Sequence, residues 1–448
     1  MRILIVGAGA VGYHLAEHLS EEGRHDIVLV DQDAERLEYA QEQLDILTVV
    51  GNGASLGVLE KAGIAKAQLL AAVTNVDEVN LVACMSAAPY DLKVKVARVS
   101  NPDYFQDTSR LRSAQQGVDV MINPELECAR ETFQLLQSEA AMEIAFFAGG
   151  RVQVMGLRIQ PDATIVGKTL AEVAAGIEDR RFLTAAIQRH EETIIPRGDN
   201  RFEVGDEVYI IGDPKQMPQV LELAGYREFR LRRVMIAGGS RTAIYLAKML
   251  EEHGIECTII EADRHTAAKL AETLTKTLIL HGDATDMELL EMEGVEGIDG
   301  FVVLTGNDDT NMLASLLAKD KGVRKVVSLI NKIEYIDLVD KVGIDAAVSP
   351  RLSAVNTILR YVRRGTVTGV AALRGVDAEV IEFEIKPGSR IAGKTLEEID
   401  FPKKSLVGSI TRGDEVIVAL GTATLMSGDR VTVLARPDAV EAVEKLFD

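Results

Sequence analysis

The sequence predicts an α/β fold in which one two-part unit occurs twice, and three observations carry that prediction. Short apolar segments alternate with amphipathic segments of helical length across residues 3–99, the pattern of a parallel sheet with crossover helices. The chain also matches itself: ILIVGAGAVGYHLAEHL at 3–19 answers VMIAGGSRTAIYLAKML at 234–250, and AAVTNVDEVN at 71–80 answers VVLTGNDDTN at 302–311. Finally, GAGAVG at 7–12 follows the first apolar segment directly and opens the first helical one, which is where a phosphate-binding turn belongs.

Each element follows from its residues. In the first part, apolar segments at 3–6, 27–30, 46–50, 71–73 and 94–99 read as strands, and 13–20, 34–43 and 78–88 as helices. The second part is different, with strand patterns at 152–159, 182–188 and 207–212 around a helix near 168–175, a small α+β subdomain. It repeats as well: IVGKTLAEV at 165–173 answers IAGKTLEEI at 391–399, and VGDEVYIIGDP at 204–214 answers SGDRVTVLARP at 427–437. The repeat is far longer than a solenoid period, so a two-domain unit has been duplicated.

The expected order is a parallel-sheet domain over 1–123, a crossover helix over 124–148 and an α+β subdomain over 149–230. The same three parts recur over 231–349, 350–365 and 366–448. Asn123-Pro124 and Ser349-Pro350 each place a capping side chain before a proline at the first helical position. On the second of these helices Leu352, Val355, Leu359 and Val362 share a face, expected to pack on its own domain or on a second copy of the chain. REFRLRRV at 227–234 reads as a short basic linker.

Composition narrows the function. The 448 residues include 49 basic and 69 acidic ones, for a net charge of −20, which argues against the broad basic face that a phosphate backbone requires. With 47% hydrophobic and 26% charged residues the chain is globular. Cys84, Cys128 and Cys257 form no C-x-x-C pair, so neither a disulfide framework nor a zinc site is indicated. No apolar run reaches the roughly 18 residues of a spanning helix, and the apolar start is too short for a signal peptide. Work at a membrane would go through a partner.

In the glycine turn Gly7 permits the tight bend, Gly9 leaves room for a pyrophosphate and Gly12 lets helix and strand pack closely. The amides from Ala8 through Ala10 and Val11 then face the anion. Together these features describe a Rossmann-like domain. Asp31 ends the second strand, where a carboxylate accepts ribose hydroxyls. It would repel a 2′-phosphate, and Gln32 and Asp33 supply no arginine, so NAD is favoured over NADP while ATP and ADP stay open. Asn52, Gly53, Thr74 and Asn75 lie at the C-terminal ends of later strands, the rim that binds ligands in such sheets. Arg98 reads equally as a distal-phosphate ligand or a structural ion pair, and Asp77 and Glu78 as helix N-terminal charges.

The second copy keeps Gly238 and an acid, Glu261, at the ribose position, but Ser240 replaces the second glycine and Ser328 replaces Arg98. Gly239, Arg241 and Thr242 complete its turn, and Thr305 and Gly306 its rim. This site is either modified or vestigial. Catalytic groups are scarce: the seven histidines show no repeated placement, and His14 and His18 read as solvent-facing. There is no G-x-S-x-G elbow and no Walker loop, and the GKT tripeptides at 167–169 and 393–395 read as turns leading into helices.

The motifs GAGAVG, IVLVD, GNGAS, LLAAVTNVDEVN and ARVSNPDY, with NPE opening a crossover helix, resemble the KTN/RCK nucleotide-binding domain. IVGKTLAEV with VGDEVYIIG resembles the RCK C-terminal domain. That resemblance implies two tandem Rossmann-like parallel-sheet domains, each followed by a small α+β RCK C-terminal subdomain. It also implies a non-enzymatic regulatory subunit in a cytosolic homo-oligomeric ring, dimer or tetramer, on the inner face of the cell membrane. Its partner would be a TrkH-like potassium-translocating membrane subunit, gated by NAD/NADH or ATP/ADP. The family's nucleotide contacts map onto Gly7 to Val11, Asp31, Asn52, Gly53, Thr74, Asn75 and Arg98, and in the second copy onto Gly238 to Thr242, Glu261, Thr305 and Gly306. An NAD-dependent oxidoreductase of unknown substrate is the alternative.

Overall fold

A computed structural model of the chain describes residues 1–23, 25–105, 117–190, 192–227, 229–332, 335–362, 367–373 and 376–447. It divides into two compact units, one of residues 1–128 with 349–363, the other of 129–348 with 364–448.

The first unit is built on β1 (Arg2–Val6), α1 (Ala10–Glu21), β2 (Asp26–Asp31), α2 (Ala34–Gln43), β3 (Leu47–Val50), α3 (Leu56–Lys61), β4 (Leu69–Ala72), α4 (Asp77–Ser86), β5 (Val94–Arg98) and β6 (Val120–Ile122). All six strands are parallel, in the order β3-β2-β1-β4-β5-β6. The order reverses between β1 and β4, and a crevice opens at such a reversal beyond the strands' C-terminal ends. Ile3, Leu4 and Ile5 are fully buried because helices cover both faces of a parallel sheet, which is why the strand reads as a continuous apolar run.

One face of that sheet is covered from far along the chain. Helix α5 (Pro124–Leu136) follows the first domain, and α13 (Pro350–Val362) is its counterpart after the second. Val355, Leu359 and Val362 of α13, with Ala354 and Ile358, enter the core that contains Leu15, Leu19 and Val96. The stripe therefore packs on the first parallel domain and not on the second, which it follows in sequence, and Leu352 lies outside this core, only partly buried. Helical spacing identifies which face is buried, but not against what.

The second unit continues with β7 (Glu143–Phe147), β8 (Val152–Arg158), α6 (Leu170–Ala175), β9 (Phe182–Arg189), β10 (Glu192–Ile194), β11 (Glu207–Gly212) and α7 (Met217–Leu223). Its parallel domain holds β12 (Arg233–Ala237), α8 (Arg241–Glu252), β13 (Glu256–Glu261), α9 (Arg264–Thr273), β14 (Leu278–His281), α10 (Met287–Met292), β15 (Gly300–Val303), α11 (Asp308–Asp320), β16 (Lys325–Leu329), α12 (Ile336–Lys341) and β17 (Ala346–Val348). After α13 come β18 (Val367–Ala372), β19 (Glu379–Glu384), β20 (Ser405–Arg412), β21 (Glu415–Val418), β22 (Arg430–Ala435) and α14 (Pro437–Phe447). The parallel order β14-β13-β12-β15-β16-β17 repeats that of the first domain. The antiparallel sheets run β10-β9-β11-β8-β7 and β18-β19-β22-β20-β21.

Here α5 mirrors α13. Its Phe133 ring lies 4.7 Å from that of His253 at the end of α8, and Leu136 reaches Gly300, where a Cβ would stand 2.8 Å from the leucine side chain. The two antiparallel subdomains share a core of Phe147, Ile211, Leu373, Val380 and Leu434. Glu382, 2% exposed, binds them by accepting from the Ala148 amide and the Thr368 hydroxyl. Strands β7 and β10 and helix α7 add to the three strands and one helix read from sequence, and α5 ends at Leu136 within the 124–148 segment expected to be helical. The GKT tripeptides do lead into helical turns: Thr169 and Glu172 form a reciprocal cap, and the Thr395 amide donates to the Glu398 carboxylate at 2.8 Å.

Candidate functional site

The crevice of the first domain is an open cleft lined by fourteen residues from the ends of β1 to β4 and the starts of the following helices. Gly7 turns the chain at φ +108°, with its absent Cβ directed 2.9 Å from the Thr74 amide nitrogen. A Cβ on Gly12 would lie 1.8 Å from the Gly7 carbonyl, so the start of α1 presses on the turn. A Cβ on Gly9 would meet nothing within 4 Å, because that position faces the cleft. Gly9 is also the N-cap of α1 and offers no side chain to its first-turn amides, which leaves an anion site of partial positive charge.

Asp31 fixes the other wall. One carboxylate oxygen accepts from the Ala8 amide at 2.6 Å and the other from the Asp33 amide at 2.9 Å, so strand end, phosphate turn and α2 are joined through one side chain. Asp33 in turn caps α2 by accepting from the Glu35 and Arg36 amides. Asn52 shapes its loop by accepting from the Ala54 amide at 2.9 Å, and Gly53 lies so close to Val6 that a Cβ would stand 2.1 Å from it.

The far rim is organised by Asn80, fully buried. Its carbonyl oxygen accepts from the Thr74 amide and hydroxyl, and its amide donates to the backbone oxygens of Thr74 and Arg98. Arg98 donates to the Asn75 side chain at 3.0 Å and stands 3.9 Å from Glu125. Asp77 does more than charge a helix end, accepting from the Ser100 and Asn101 amides.

Of the residues singled out from sequence in this copy, Gly7, Gly9, Asp31, Gly53, Thr74 and Asn75 line the cleft. Ala8, Ala10, Val11, Gly12, Asn52 and Arg98 are not part of that lining; Ala10 and Asn52 are exposed outside it, and Val11 is 4% exposed, so its side chain is not a ligand contact. Gln32, Arg36, Gly51, Val76 and Val79 line it without having been foreseen. Arg36 had a signal: an N-capping Asp33 puts the third residue on in the first helical turn. His14 and His18 are about a quarter exposed, His14 bonded to Glu17 at 2.8 Å and His18 3.9 Å from Glu22, and neither lines the cleft.

The second copy keeps the frame. Gly238 turns at φ +95° against Thr305, the Gly239 amide donates to Glu261 at 2.5 Å, and Thr305 is held by Asn311 as Thr74 is by Asn80. A Cβ on Gly306 would meet nothing within 4 Å. The difference lies at the helix start, where the Ser240 hydroxyl accepts from the Ala243 amide at 3.3 Å. Arg241 is exposed, but Thr242 is 2% exposed and faces the core, so its side chain is not a ligand contact. The position of Arg98 is taken by Leu329 and not, as expected, by Ser328: Asn311 donates to the Leu329 carbonyl as Asn80 does to that of Arg98, and Ser328, one residue earlier on β16, is fully buried.

Comparison with known proteins agrees with this architecture. The TrkA-N domain model matches residues 3–124 and 234–350, and the TrkA-C domain model residues 154–225 and 380–448. The chain is 38% identical to Trk system potassium uptake protein TrkA homolog 2 of Methanosarcina mazei over 100% of both sequences. It is 37% identical to the TrkA protein of Halomonas elongata, over 100% of this chain and 98% of that one. Among solved structures, the GsuK channel bound to NAD superposes with a TM-score of 0.60 at 19% identity, covering 100% of this chain and 78% of that one. GsuK bound to ADP gives 0.50 at 16%, covering 81% and 69%. The structural likeness shows the fold; with both domain models matched twice and identity sustained from end to end, the chain belongs to the TrkA family of Trk system potassium uptake proteins.

Proposed function

We propose that the chain is a regulatory subunit that binds an adenine nucleotide, NAD(H) or ATP/ADP, in its first cleft and thereby gates a TrkH-like potassium-translocating membrane subunit. The observation that carries the reading is the uncapped start of α1, open to the cleft at Gly9, with Asp31 set at the ribose position beside it. Gly7 to Gly12 would hold the phosphates, Asp31 the ribose hydroxyls, and Thr74, Asn75 and Arg98 the distal group. The relatives' names supply the potassium-uptake context.

Chemistry on the bound nucleotide is not part of this role. The cleft wall has one carboxylate, Asp31, and one cation, Arg36, with no histidine, lysine, cysteine or tyrosine among its lining residues. A dehydrogenase needs a positioned acid or base, and this favours the regulatory reading over the oxidoreductase. No helix among the described residues is long and apolar enough to cross a membrane. Engagement of the channel from the cytosolic side, by a homo-oligomeric ring, would therefore go through protein contacts. In the second cleft Gly238, Gly239, Glu261, Thr305 and Gly306 would hold a nucleotide more weakly, because Ser240 already occupies a helix amide.

The test is calorimetric titration of NAD, NADH, ATP and ADP into the wild type and Asp31→Ala, followed by recovery of partners from membranes. Binding that falls at least tenfold in the variant, with a potassium-translocating subunit recovered, is the expected result. Recovery of a soluble metabolic enzyme instead would remove the transport role.

A further inference from the structure

Asp33 tethers Arg36 in a way that gives the guanidinium a task of its own. Its Nε lies 3.0 Å from Asp33 Oδ2, while the other oxygen of Asp33 accepts from the Glu35 and Arg36 amides. The side chain is thus folded back over the start of α2 and forms part of the cleft wall with 56% of its surface exposed. Along the rim the order is fixed: the anion site at Gly9, then Asp31 at the end of β2, then the start of α2 on the side of β3. A nucleotide with its phosphates at the first and its ribose at the second places its base at the third, between Arg36 and the loop Gly51 to Gly53.

Resting on the proposed nucleotide role of this cleft, we infer that Arg36 holds the adenine base by laying its guanidinium plane against the ring. Three features favour stacking over a phosphate contact. Arg36 stands at the end of the cleft away from the uncapped amides. Asp33 in direct contact, with Asp31 beside it, offsets its charge toward a distant anion. An arginine plane also lies flat on an aromatic face, as a lysine cannot. The second copy lacks the group: Thr266 stands there, its amide bonded to Asp263 at 2.7 Å and its methyl 3.1 Å from where a Gly239 Cβ would be.

The experiment titrates ADP, ATP and NAD into the wild type, Arg36→Ala, Arg36→Lys and Arg36→Tyr, with thermal melts to show that each variant is folded. Stacking predicts that Arg36→Ala weakens all three by a similar factor, about five- to thirtyfold. Arg36→Lys then fails to restore affinity, whereas Arg36→Tyr restores it to within about threefold, because an aromatic ring replaces the plane. A loss that grows with phosphate number and is restored by lysine would overturn the inference, as would unchanged affinity in Arg36→Ala. If the wild type binds none of the three, it is the nucleotide reading that fails.

Discussion

At the residue scale the contrast between Gly9 and Ser240 separates two clefts with the same frame. A hydroxyl that caps its own helix competes with a phosphate for the same amides. Because a side chain at Gly9 meets nothing within 4 Å, Gly9→Ser should leave the melting temperature unchanged within about 2 °C while weakening ADP and NAD at least tenfold in titration. The glycines and Asp31 were legible in the sequence because each answers a local requirement. Asn80 was not, because it works through the carbonyls of Thr74 beyond β4 and Arg98 at the end of β5, and Arg36 had only the indirect signal of the Asp33 cap, since its place follows from the direction in which α2 begins.

A second residue carries a pH dependence. Lys325 is fully buried at the start of β16, its ammonium donating to the Ala141 and Glu139 carbonyls just beyond α5. Burial pushes its pKa down to about 8, against the opposing pull of Asp345. In the unfolded chain the group titrates near 10.4. Below pH 8 both states carry the proton and the cost of burying the charge is present in full. Between these pKa values the unfolded state binds more protons, so stability rises with pH, by at most roughly 3 kcal/mol. Melts at pH 7.5 and pH 10 should show the wild type gaining relative to Lys325→Met; a parallel response of the two proteins would exclude the buried charge as its source.

At the scale of elements, each parallel domain is completed by a crossover helix that does not follow it directly in sequence: α13 in the first unit, and Ala129–Leu136 of α5 in the second. Leu359 is 1% exposed in the core that also holds Leu15 and Leu19. Leu359→Ala should therefore destabilise the first domain, in whose sequence it does not lie, by about 2–5 kcal/mol. Hydrogen exchange would locate that loss in α1 and β5; a loss confined to residues 231–348 would contradict the packing. Proline caps and helical spacing made both helices readable, but the exchange is a long-range pairing that periodicity does not encode. The short edge strands β7 and β10 escaped for a related reason, since three to five residues give too little alternation to stand out.

At the scale of the whole molecule, duplication has preserved a scaffold while its two clefts diverged. The acid-to-turn hydrogen bond, the Asn-held rim and the strand order occur in both copies; the open helix start and the arginine of the cleft wall occur in the first. The repeat was visible in sequence because its motifs answer backbone needs, and its asymmetry was visible at Ser240. The net charge of −20 suits a partner engaged through specific contacts and not through anionic lipid. The central claim is that the first cleft binds an adenine nucleotide, and calorimetric titration of ADP and NAD into the wild-type chain and Gly9→Ser tests it most directly. The account predicts saturable binding by the wild type and at least a tenfold loss in the folded variant; no binding of either nucleotide to the wild type, or equal affinity in the two proteins, would contradict it.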